Sequence, residues 1–162
     1  LHISKSMQKL LKKNPFSLTC DRAFAEVIEN CRQPRKTQKT TWITREMKNA
    51  YIRLHELGFA HSLEVWEEEE LVGGFYGISL GMSFFGESMF AKVANASKFG
   101  FIKFAAELFE LGFTMIDCQV PNEHLKTLGA SEIPRGEFLA LLHESLKHKT
   151  RRGKWDLFAT RS

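Results

Sequence analysis

The sequence contains little cysteine and no long apolar stretch. Its three cysteines, Cys20, Cys31 and Cys118, are an odd number without a CxxC pair. This usage is typical of a reducing cytosol and excludes both a disulfide framework and a cysteine zinc site. No segment approaches the roughly 18 apolar residues of a transmembrane helix. The GxxxxGK[ST] and GxGxxG patterns are absent as well, which argues against a P-loop or dinucleotide-binding enzyme.

The chain contains enough apolar sequence for one folded domain. Its positive and negative charges are concentrated in different segments. It has 162 residues, of which 43% are hydrophobic, and a formal net charge of +4. Residues 1–45 carry a net +7, residues 46–146 a net −8 and residues 147–162 a net +5. Basic ends around an acidic middle indicate a polyanionic partner and a cationic partner. Uneven solvated charge is the alternative that composition leaves open.

The first predicted helix runs from Ser4, its expected N-cap, to Asn14, and Pro15 stops it. On a helical projection four lysines fall within one arc of roughly 100°, and the apolar residues fall opposite them. These lysines are Lys5, Lys9, Lys12 and Lys13. Because the helix has no acidic residue, this lysine face is suited to docking on a nucleic-acid phosphate backbone. An ordinary amphipathic surface helix is the alternative.

The remaining pattern predicts an α+β fold. Three strands form a predicted antiparallel meander, and a long helix connects the meander to one further buried strand. This order is the layout of an acetyltransferase-like (GNAT-like) mixed sheet flanked by helices. The predicted strands cover residues 60–66, 71–79, 82–90 and 113–118. The predicted helices cover residues 21–30 with Asp21 as the cap, 45–57 after a Thr44 cap, 97–111, 122–128 and 135–145.

We divide the chain into three segments by composition. A basic helical segment and linker covers residues 1–40, a GNAT-like transferase domain covers 41–146, and a basic C-terminal tail covers 147–162. The tail is expected to be mobile over residues 147–154 because it is rich in charge and lies at the end of the chain.

A few polar residues lie within or just after predicted strands that are otherwise apolar, which makes them candidate site residues. Glu87 lies in a predicted strand among aromatic residues, where a carboxylate needs a partner. By alternation, Asp117 and Gln119 end the buried strand on the same face and could together orient an amine or a hydroxyl. Asn122 lies in a polar turn just beyond them. Cys118 points to the other face and is interpreted as a small core residue.

A second group of residues in the strands is interpreted structurally. Gly73, Gly74 and Gly77 fall inside one predicted strand. Glycines in a strand are typical of a β-bulge or of a tight packing contact. We therefore do not assign them to a phosphate-binding loop.

Long ungapped motifs follow one another between residue 1 and about residue 140. They are LHISxSM (1–7), AFxxVI (23–28), TWIT (41–44), GFAHSxEVW (58–66), LVGGxYG (71–77), GESMF (86–90), NASK (95–98), IDCQ (116–119) and LGAxEIPR (128–135). In this order the set resembles the leucyl/phenylalanyl-tRNA–protein transferase family.

The resemblance implies an aminoacyltransferase of the bacterial cytoplasm. Family members move Leu or Phe from Leu-tRNA or Phe-tRNA to the α-amino group of proteins that begin with Arg or Lys, which marks those proteins for N-degron proteolysis. The ester to tRNA is already activated, so the resemblance implies no metal, no ATP, no acyl-CoA and no other cofactor, and no membrane partner. The acidic middle, with the Glu67–Glu70 turn, is a candidate to attract the cationic N-terminus.

The resemblance also implies roles for individual residues. Asp117 and Gln119 match the proposed catalytic pair, in which Gln119 receives or orients the incoming α-amine and Asp117 polarises Gln119. The lysine face matches the family's basic cluster for the tRNA acceptor stem. The implied substrate-binding residues are Trp42 for the adenosine and aminoacyl site, Phe75, Phe84, Phe104 and Ile116 for the Leu or Phe side chain, and Glu87 and Asn122 for the terminal adenosine and the aminoacyl group.

One departure concerns the start of the chain, which opens Leu1-His2-Ile3-Ser4 without an initiator Met. Family members carry an N-terminal lobe with a Trp-rich motif before this segment, and that lobe contributes to the substrate cleft. We expect the chain to be part of a longer protein and to be weakened or inactive alone.

Two alternatives follow from these observations. One is a tRNA-binding module that has no activity because the N-terminal lobe is missing. The other is an acyl-CoA-type GNAT acyltransferase. That class needs a Gly-rich pyrophosphate loop before the long helix, and residues 91–98 (AKVANASK) do not supply it.

Overall fold

The computed structural model of the chain describes residues 1–33, 41–121 and 123–159. Within them the chain forms six helices and five strands. The helices are α1 (Lys5–Lys13), α2 (Phe24–Arg32), α3 (Arg45–Glu56), α4 (Ala96–Glu110), α5 (Glu123–Lys126) and α6 (Arg135–Leu146). The strands are β1 (Ser17–Cys20), β2 (Ala60–Glu67), β3 (Glu70–Leu80), β4 (Ser83–Ala91) and β5 (Met115–Asp117).

The five strands form one mixed sheet in the order β1-β2-β3-β4-β5. Neighbouring strands from β1 to β4 are antiparallel, and β5 returns through α4 to pair with β4 in parallel. The hairpin turns contain Glu68 and Gly81 with φ angles of 54° and 57°, the positive values that tight hairpin turns use. The predicted meander, the helix-connected strand and the α+β class are therefore confirmed.

Helices cover both faces of this sheet. On one face α4 packs against β2, β3 and β4, and α1 packs against α4. The opposite face carries α2 and α3, with Val27 and Ile28 fully buried. The predicted apolar stripe of α4 is confirmed, because Phe104 and Leu108 are fully buried and Phe101 is 8% exposed. The two faces bury alternate residues of the strands, as the pleat of a β-strand requires.

Two helices begin where their capping residues predict. The Ser4 hydroxyl accepts a hydrogen bond from the Met7 backbone N–H at 3.3 Å, and the Thr44 hydroxyl accepts one from the Met47 N–H at 3.2 Å. Each bond satisfies one of the first-turn amides that a helix leaves unpaired. Local sequence therefore sets the start of α1 and α3.

The prediction of a helix capped by Asp21 was wrong. Residues 17–20 form β1, which pairs with β2, and α2 begins only at Phe24. The Asp21 carboxylate is buried and accepts hydrogen bonds from His61 Nδ1 at 2.8 Å, the Ser62 N–H at 2.9 Å and the Trp155 N–H at 2.7 Å. A buried carboxylate requires several donors, and these distant ones take the place of a local helix cap.

The tail that was expected to be mobile is folded over its described part. Trp155 is 1% exposed, and its ring stacks on His61 at 3.8 Å between centroids. The Arg152 guanidinium donates to the Leu57 carbonyl oxygen at 2.8 Å. Trp155 shares one apolar core with Met7 and with the buried residues of α4 and the sheet, so segments 1–40 and 147–162 both contribute to the core of segment 41–146. Residues 34–40 of the predicted linker lie outside the described residues.

Candidate active site

β4 and β5 separate soon after they begin to pair. Their parallel pairing covers three residue pairs and ends at Phe85 and Asp117. Immediately beyond, β4 carries a bulge against β3: Tyr76 lies opposite Ser88 and Gly77 opposite Gly86, so Glu87 is an extra residue. A bulge bends its strand and redirects its side chains. A cleft opens between the two strands at this point.

The cleft has a volume of about 770 Å³ and is mainly apolar. Five of the seven predicted substrate-binding residues line it, together with Gln119 from the predicted catalytic pair. These six are Trp42, Phe75, Phe84, Glu87, Ile116 and Gln119. The structure therefore brings most of the predicted site together in one cavity, which we call the donor cleft.

The aromatic walls of the donor cleft differ in exposure. Phe75 and Phe84 are 3% and 1% exposed and form a fixed apolar wall. Trp42 is 45% exposed, in the segment before α3. A large ring that is half open to solvent can stack on a planar group that enters the cleft.

The other two predicted substrate-binding residues do not line the cleft. Phe104 is fully buried behind the wall, where its ring meets those of Phe75 and Phe84 edge-on at 5.0 Å between centroids in each case. It shapes the apolar wall from α4 instead of facing the cavity. Asn122 lies outside the described residues.

The predicted catalytic pair is joined through the backbone. The Asp117 Oδ1 atom accepts a hydrogen bond from the Gln119 backbone N–H at 2.7 Å, and Gln119 has a φ of 62°. The Gln119 side-chain amide Nε2 donates to the Gly86 carbonyl oxygen at 3.0 Å, across the opening between β5 and β4. β5 ends at Asp117, so alternation does not continue to Gln119. The two side chains therefore meet through a main-chain N–H and not face to face.

Cys118, between the members of this pair, is half-buried. Burial, with a smaller contribution from the Asp117 charge, raises the pKa of its thiol. A thiol with a raised pKa is a poor nucleophile at neutral pH. This agrees with its interpretation as a small core residue, although it also lines the donor cleft.

Two tyrosines in the donor cleft were not predicted. Tyr51 from α3 and Tyr76 from β3 line it, with their rings edge-on at 5.0 Å. Burial and a hydrogen bond to Glu87 raise the pKa of Tyr51, and burial chiefly raises that of Tyr76. The Tyr76 hydroxyl has no hydrogen-bond partner within the described part of the chain. Met47 and Tyr51 are four residues apart on α3, and this spacing could have indicated a shared helix face.

A second cavity of about 730 Å³ lies on the other side of the chain that continues β5. Ile116, Cys118, Gln119, Val120 and Leu125 line both cavities. The second cavity also takes in Asp117 and most of the LGAxEIPR segment. Its further lining residues are Met115, Pro121, Lys126, Gly129, Ala130, Ser131, Glu132, Ile133, Arg135 and Phe138.

The predicted lysine face lies on the exposed side of α1. All four lysines are exposed, while Met7 on the opposite side is buried in the core. Among the described residues no carboxylate oxygen lies within 4 Å of their ammonium groups. The acidic Glu67–Glu70 turn lies at the tip of the β2–β3 hairpin and lines neither the donor cleft nor the second cavity.

Within the described ranges, none of the helices is both long and apolar enough to cross a membrane.

The fold is that of a GNAT-like α+β protein. An aminoglycoside acetyltransferase from an uncultured soil metagenomic sample has a similar structure, with a TM-score of 0.51 over 93% of this chain and 99% of that one. The two sequences are 11% identical, so this likeness concerns the fold alone.

The family is defined by sequence. Residues 1–143 match the family model described as leucyl/phenylalanyl-tRNA protein transferase, and the chain belongs to this family. The leucyl/phenylalanyl-tRNA–protein transferase of Saccharophagus degradans is 51% identical over 91% of this chain and 60% of the relative. That of Pseudomonas fluorescens is 51% identical over 90% and 65%, and that of Myxococcus xanthus 52% over 96% and 67%. The chain thus spans about 60–67% of the length of these relatives.

Proposed function

We propose that the chain carries the transferase site that moves Leu or Phe from Leu-tRNA or Phe-tRNA to the α-amino group of a protein beginning with Arg or Lys. The observation that carries the proposal is the donor cleft, a mainly apolar cavity that Gln119 helps to line, in a chain of this family. Because aminoacyl-tRNA is made in the cytoplasm, the reaction belongs to the bacterial cytoplasm. The product then carries an N-degron for proteolysis.

The walls of the donor cleft support the choice of amino acid. Phe75, Phe84 and Ile116 offer an apolar surface to the Leu or Phe side chain, and Phe104 holds two of these rings from behind. A hydrophobic pocket discriminates by size and burial and accepts ligands of similar shape. This apolar wall therefore suits two apolar amino acids and disfavours a charged side chain, which would lose its hydration there.

The polar rim supports a place for the terminal adenosine. The half-exposed Trp42 ring can stack on the adenine, and the Glu87 carboxylate can accept hydrogen bonds from ribose hydroxyls. Asn122, which lies outside the described residues, is proposed to contact the aminoacyl group. The lysine face would hold the acceptor stem through its phosphates, which requires no reading of bases.

The catalytic step relies on position more than on a strong base. The Gln119 side chain is held by its donation to Gly86, which leaves its Oε1 atom to accept a hydrogen bond from the incoming α-amine. The amine nitrogen attacks the ester carbonyl carbon, the carbon–oxygen bond to the ribose breaks, and the proton lost by the amine is transferred to the released ribose oxygen, which becomes a hydroxyl. Orienting an amine in this way lowers the barrier mainly through proximity.

Transfer of radiolabelled Phe from Phe-tRNA to a peptide beginning with Arg tests the proposal. We expect labelled peptide from aminoacyl-tRNA and none from acetyl-CoA. Acetylation of the same peptide would replace the proposal with the acyl-CoA alternative. Tight tRNA binding without any transfer would favour the binding module. A peptide with a blocked α-amine is the matched control, because it keeps the acceptor sequence and removes the nucleophile.

A further inference from the structure

The apolar wall of the donor cleft is supported from behind by the tail of the chain. Trp155 is 1% exposed, and its ring lies 6.1 Å from that of Phe84 and 6.1 Å from that of Phe104, measured between centroids. Phe84 lines the cleft, and Phe104 meets it edge-on. Both distances are within the range over which aromatic rings pack against each other. Trp155 therefore lies one ring behind the surface of the cleft, although it does not line the cleft itself.

The Phe84 ring is enclosed by several neighbours. It covers Gly77, and two of its ring atoms lie 2.6 Å from the position that a Cβ atom on this glycine would take. The rings of Phe75 and Phe104 pack against it at 6.4 Å and 5.0 Å, and Trp155 adds a neighbour from the tail. Protein interiors are close-packed and leave few voids. The position of Phe84 therefore depends on the Trp155 indole being in place.

Trp155 is itself fixed by polar contacts. Its backbone N–H donates to the buried Asp21 carboxylate at 2.7 Å, and its indole N–H donates to the Arg151 carbonyl oxygen at 3.1 Å. Its ring stacks on His61, whose Nδ1 atom hydrogen-bonds the same carboxylate at 2.8 Å. A side chain that is held at its backbone, at its indole nitrogen and on one ring face can serve as a rigid support.

We propose that Trp155 is a positioning residue that sets the depth of the apolar wall and thereby the preference between Phe and Leu as the donor amino acid. The inference rests on the proposed function and adds to it a determinant in the tail, outside the residues 1–143 that match the family model. Without the indole, Phe84 and Phe104 relax partly into the vacated space, as side chains around a core cavity do. The cleft becomes deeper, and the smaller Leu side chain loses more contact with the wall than the larger Phe side chain.

Replacing the indole tests this role. Trp155→Leu removes the ring and Trp155→Phe keeps one, and kcat/KM is measured for Leu-tRNA and for Phe-tRNA with the same Arg-initiated peptide. One methylene in a hydrophobic pocket changes discrimination by about 10- to 200-fold. Because the wall relaxes only partly, we expect Trp155→Leu to shift the ratio of the two kcat/KM values toward Phe by about fivefold. Trp155→Phe should keep the ratio within about twofold of the wild-type value, because a ring still packs against Phe84.

Leu71→Ala is the matched control for a loss of stability. Leu71 is 2% exposed in the core that α2 and α3 form with the sheet, and it lines neither cavity. Urea unfolding measures the stability that each variant loses. A loss of stability alone reduces the amount of active protein and lowers both rates by the same factor, so Leu71→Ala should leave the ratio unchanged. If Trp155→Leu does not fold, Trp155→Met takes its place, because a flexible Met side chain fills irregular space in a core.

The outcomes separate this inference from the proposed function. If the unmodified chain transfers both amino acids but the ratio for the ring-free Trp155 variant stays at the wild-type value or moves toward Leu, the inference is overturned and the proposed function stands. An equal shift in Leu71→Ala would also overturn it, because the ratio would then follow stability. A wild-type chain that transfers neither Leu nor Phe would overturn the proposed function, and the inference would fall with it.

Discussion

The backbone hydrogen bond between Asp117 and Gln119 leads to a prediction that distinguishes two roles for the carboxylate. If Asp117 acts by holding the Gln119 backbone in its left-handed conformation, Asp117→Asn should retain much of the activity, because an amide oxygen can accept the same bond. Asp117→Ala should not, because it removes the acceptor. If instead the negative charge itself drives the reaction, Asp117→Asn and Asp117→Ala should be equally impaired.

The magnitudes follow from the 2.7 Å bond between Asp117 Oδ1 and the Gln119 N–H. A hydrogen bond to a charged group contributes about 1.5–3 kcal/mol, and one between neutral groups about 0.5–1.5 kcal/mol. If all of this energy positions Gln119, Asp117→Ala lowers turnover by about 10- to 100-fold, since about 1.4 kcal/mol corresponds to a factor of ten. Asp117→Asn loses about 1 kcal/mol and lowers turnover about fivefold.

The assay is steady-state transfer of Phe from Phe-tRNA to an Arg-initiated peptide, with kcat and both KM values measured for each variant. Asp156→Asn provides a matched control, because Asp156 is exposed and lines neither cavity. Urea unfolding checks that the folded state is retained. If turnover of Asp117→Asn falls as far as that of Asp117→Ala while tRNA affinity and stability are retained, the positioning argument is refuted.

Three further predictions concern the rest of the chain. Replacing Lys9, Lys12 and Lys13 with Gln should reduce the steepness of log K for tRNA binding against log salt concentration by roughly 2 to 3. The same change at Lys147, Lys149 and Lys154 should leave the slope as it is. If the first set of changes leaves the slope unchanged as well, α1 does not bind the tRNA backbone. Trp155→Ala should lower the free energy of unfolding by about 3–5 kcal/mol in urea, against about 0.5 kcal/mol for the exposed Trp42→Ala, and similar losses would show that the tail is not part of the core. Burial raises the pKa of Glu64, so the folded state holds this proton more tightly than the unfolded chain and stability falls as the pH rises through the raised value. Glu64→Gln should remove that fall in unfolding experiments from about pH 4 upward, and parallel curves for both proteins would contradict it.

The features that local sequence determines were predicted well. α4 has an apolar stripe with helical spacing, and it forms where that spacing predicts. Ser4 and Thr44 cap their helices through bonds to amides three residues away. The predicted bulge or packing role of the strand glycines is also confirmed, since a Cβ on Gly77 would lie 2.2 Å from the Phe85 carbonyl oxygen.

The features that distant contacts determine were missed. Asp21 looks like a helix cap within its own segment, but its donors lie 41 and 134 residues away at Ser62 and Trp155. The tail was predicted to be mobile because it is rich in charged residues. The core in which Trp155 is buried is formed by residues distant in sequence, so no local pattern predicts it. The second cavity depends on how the LGAxEIPR segment folds back beside β5, and no periodic pattern in the sequence predicts that return.

The position of Gln119 is set by the two diverging strands β4 and β5 more than by the surrounding helices. Gly77 lets β3 approach β4 closely beside the bulge, and Gly86 at that bulge supplies the carbonyl oxygen that holds the Gln119 side chain. Asp117, the last residue of β5, holds the Gln119 backbone. Asp117 belongs to the last residue pair of β4 and β5, and Gly86 follows the other member of that pair. Both groups that hold Gln119 therefore lie where the two strands separate. The Gln119 atom that we propose meets the amine is therefore held in place by one group from each of these strands.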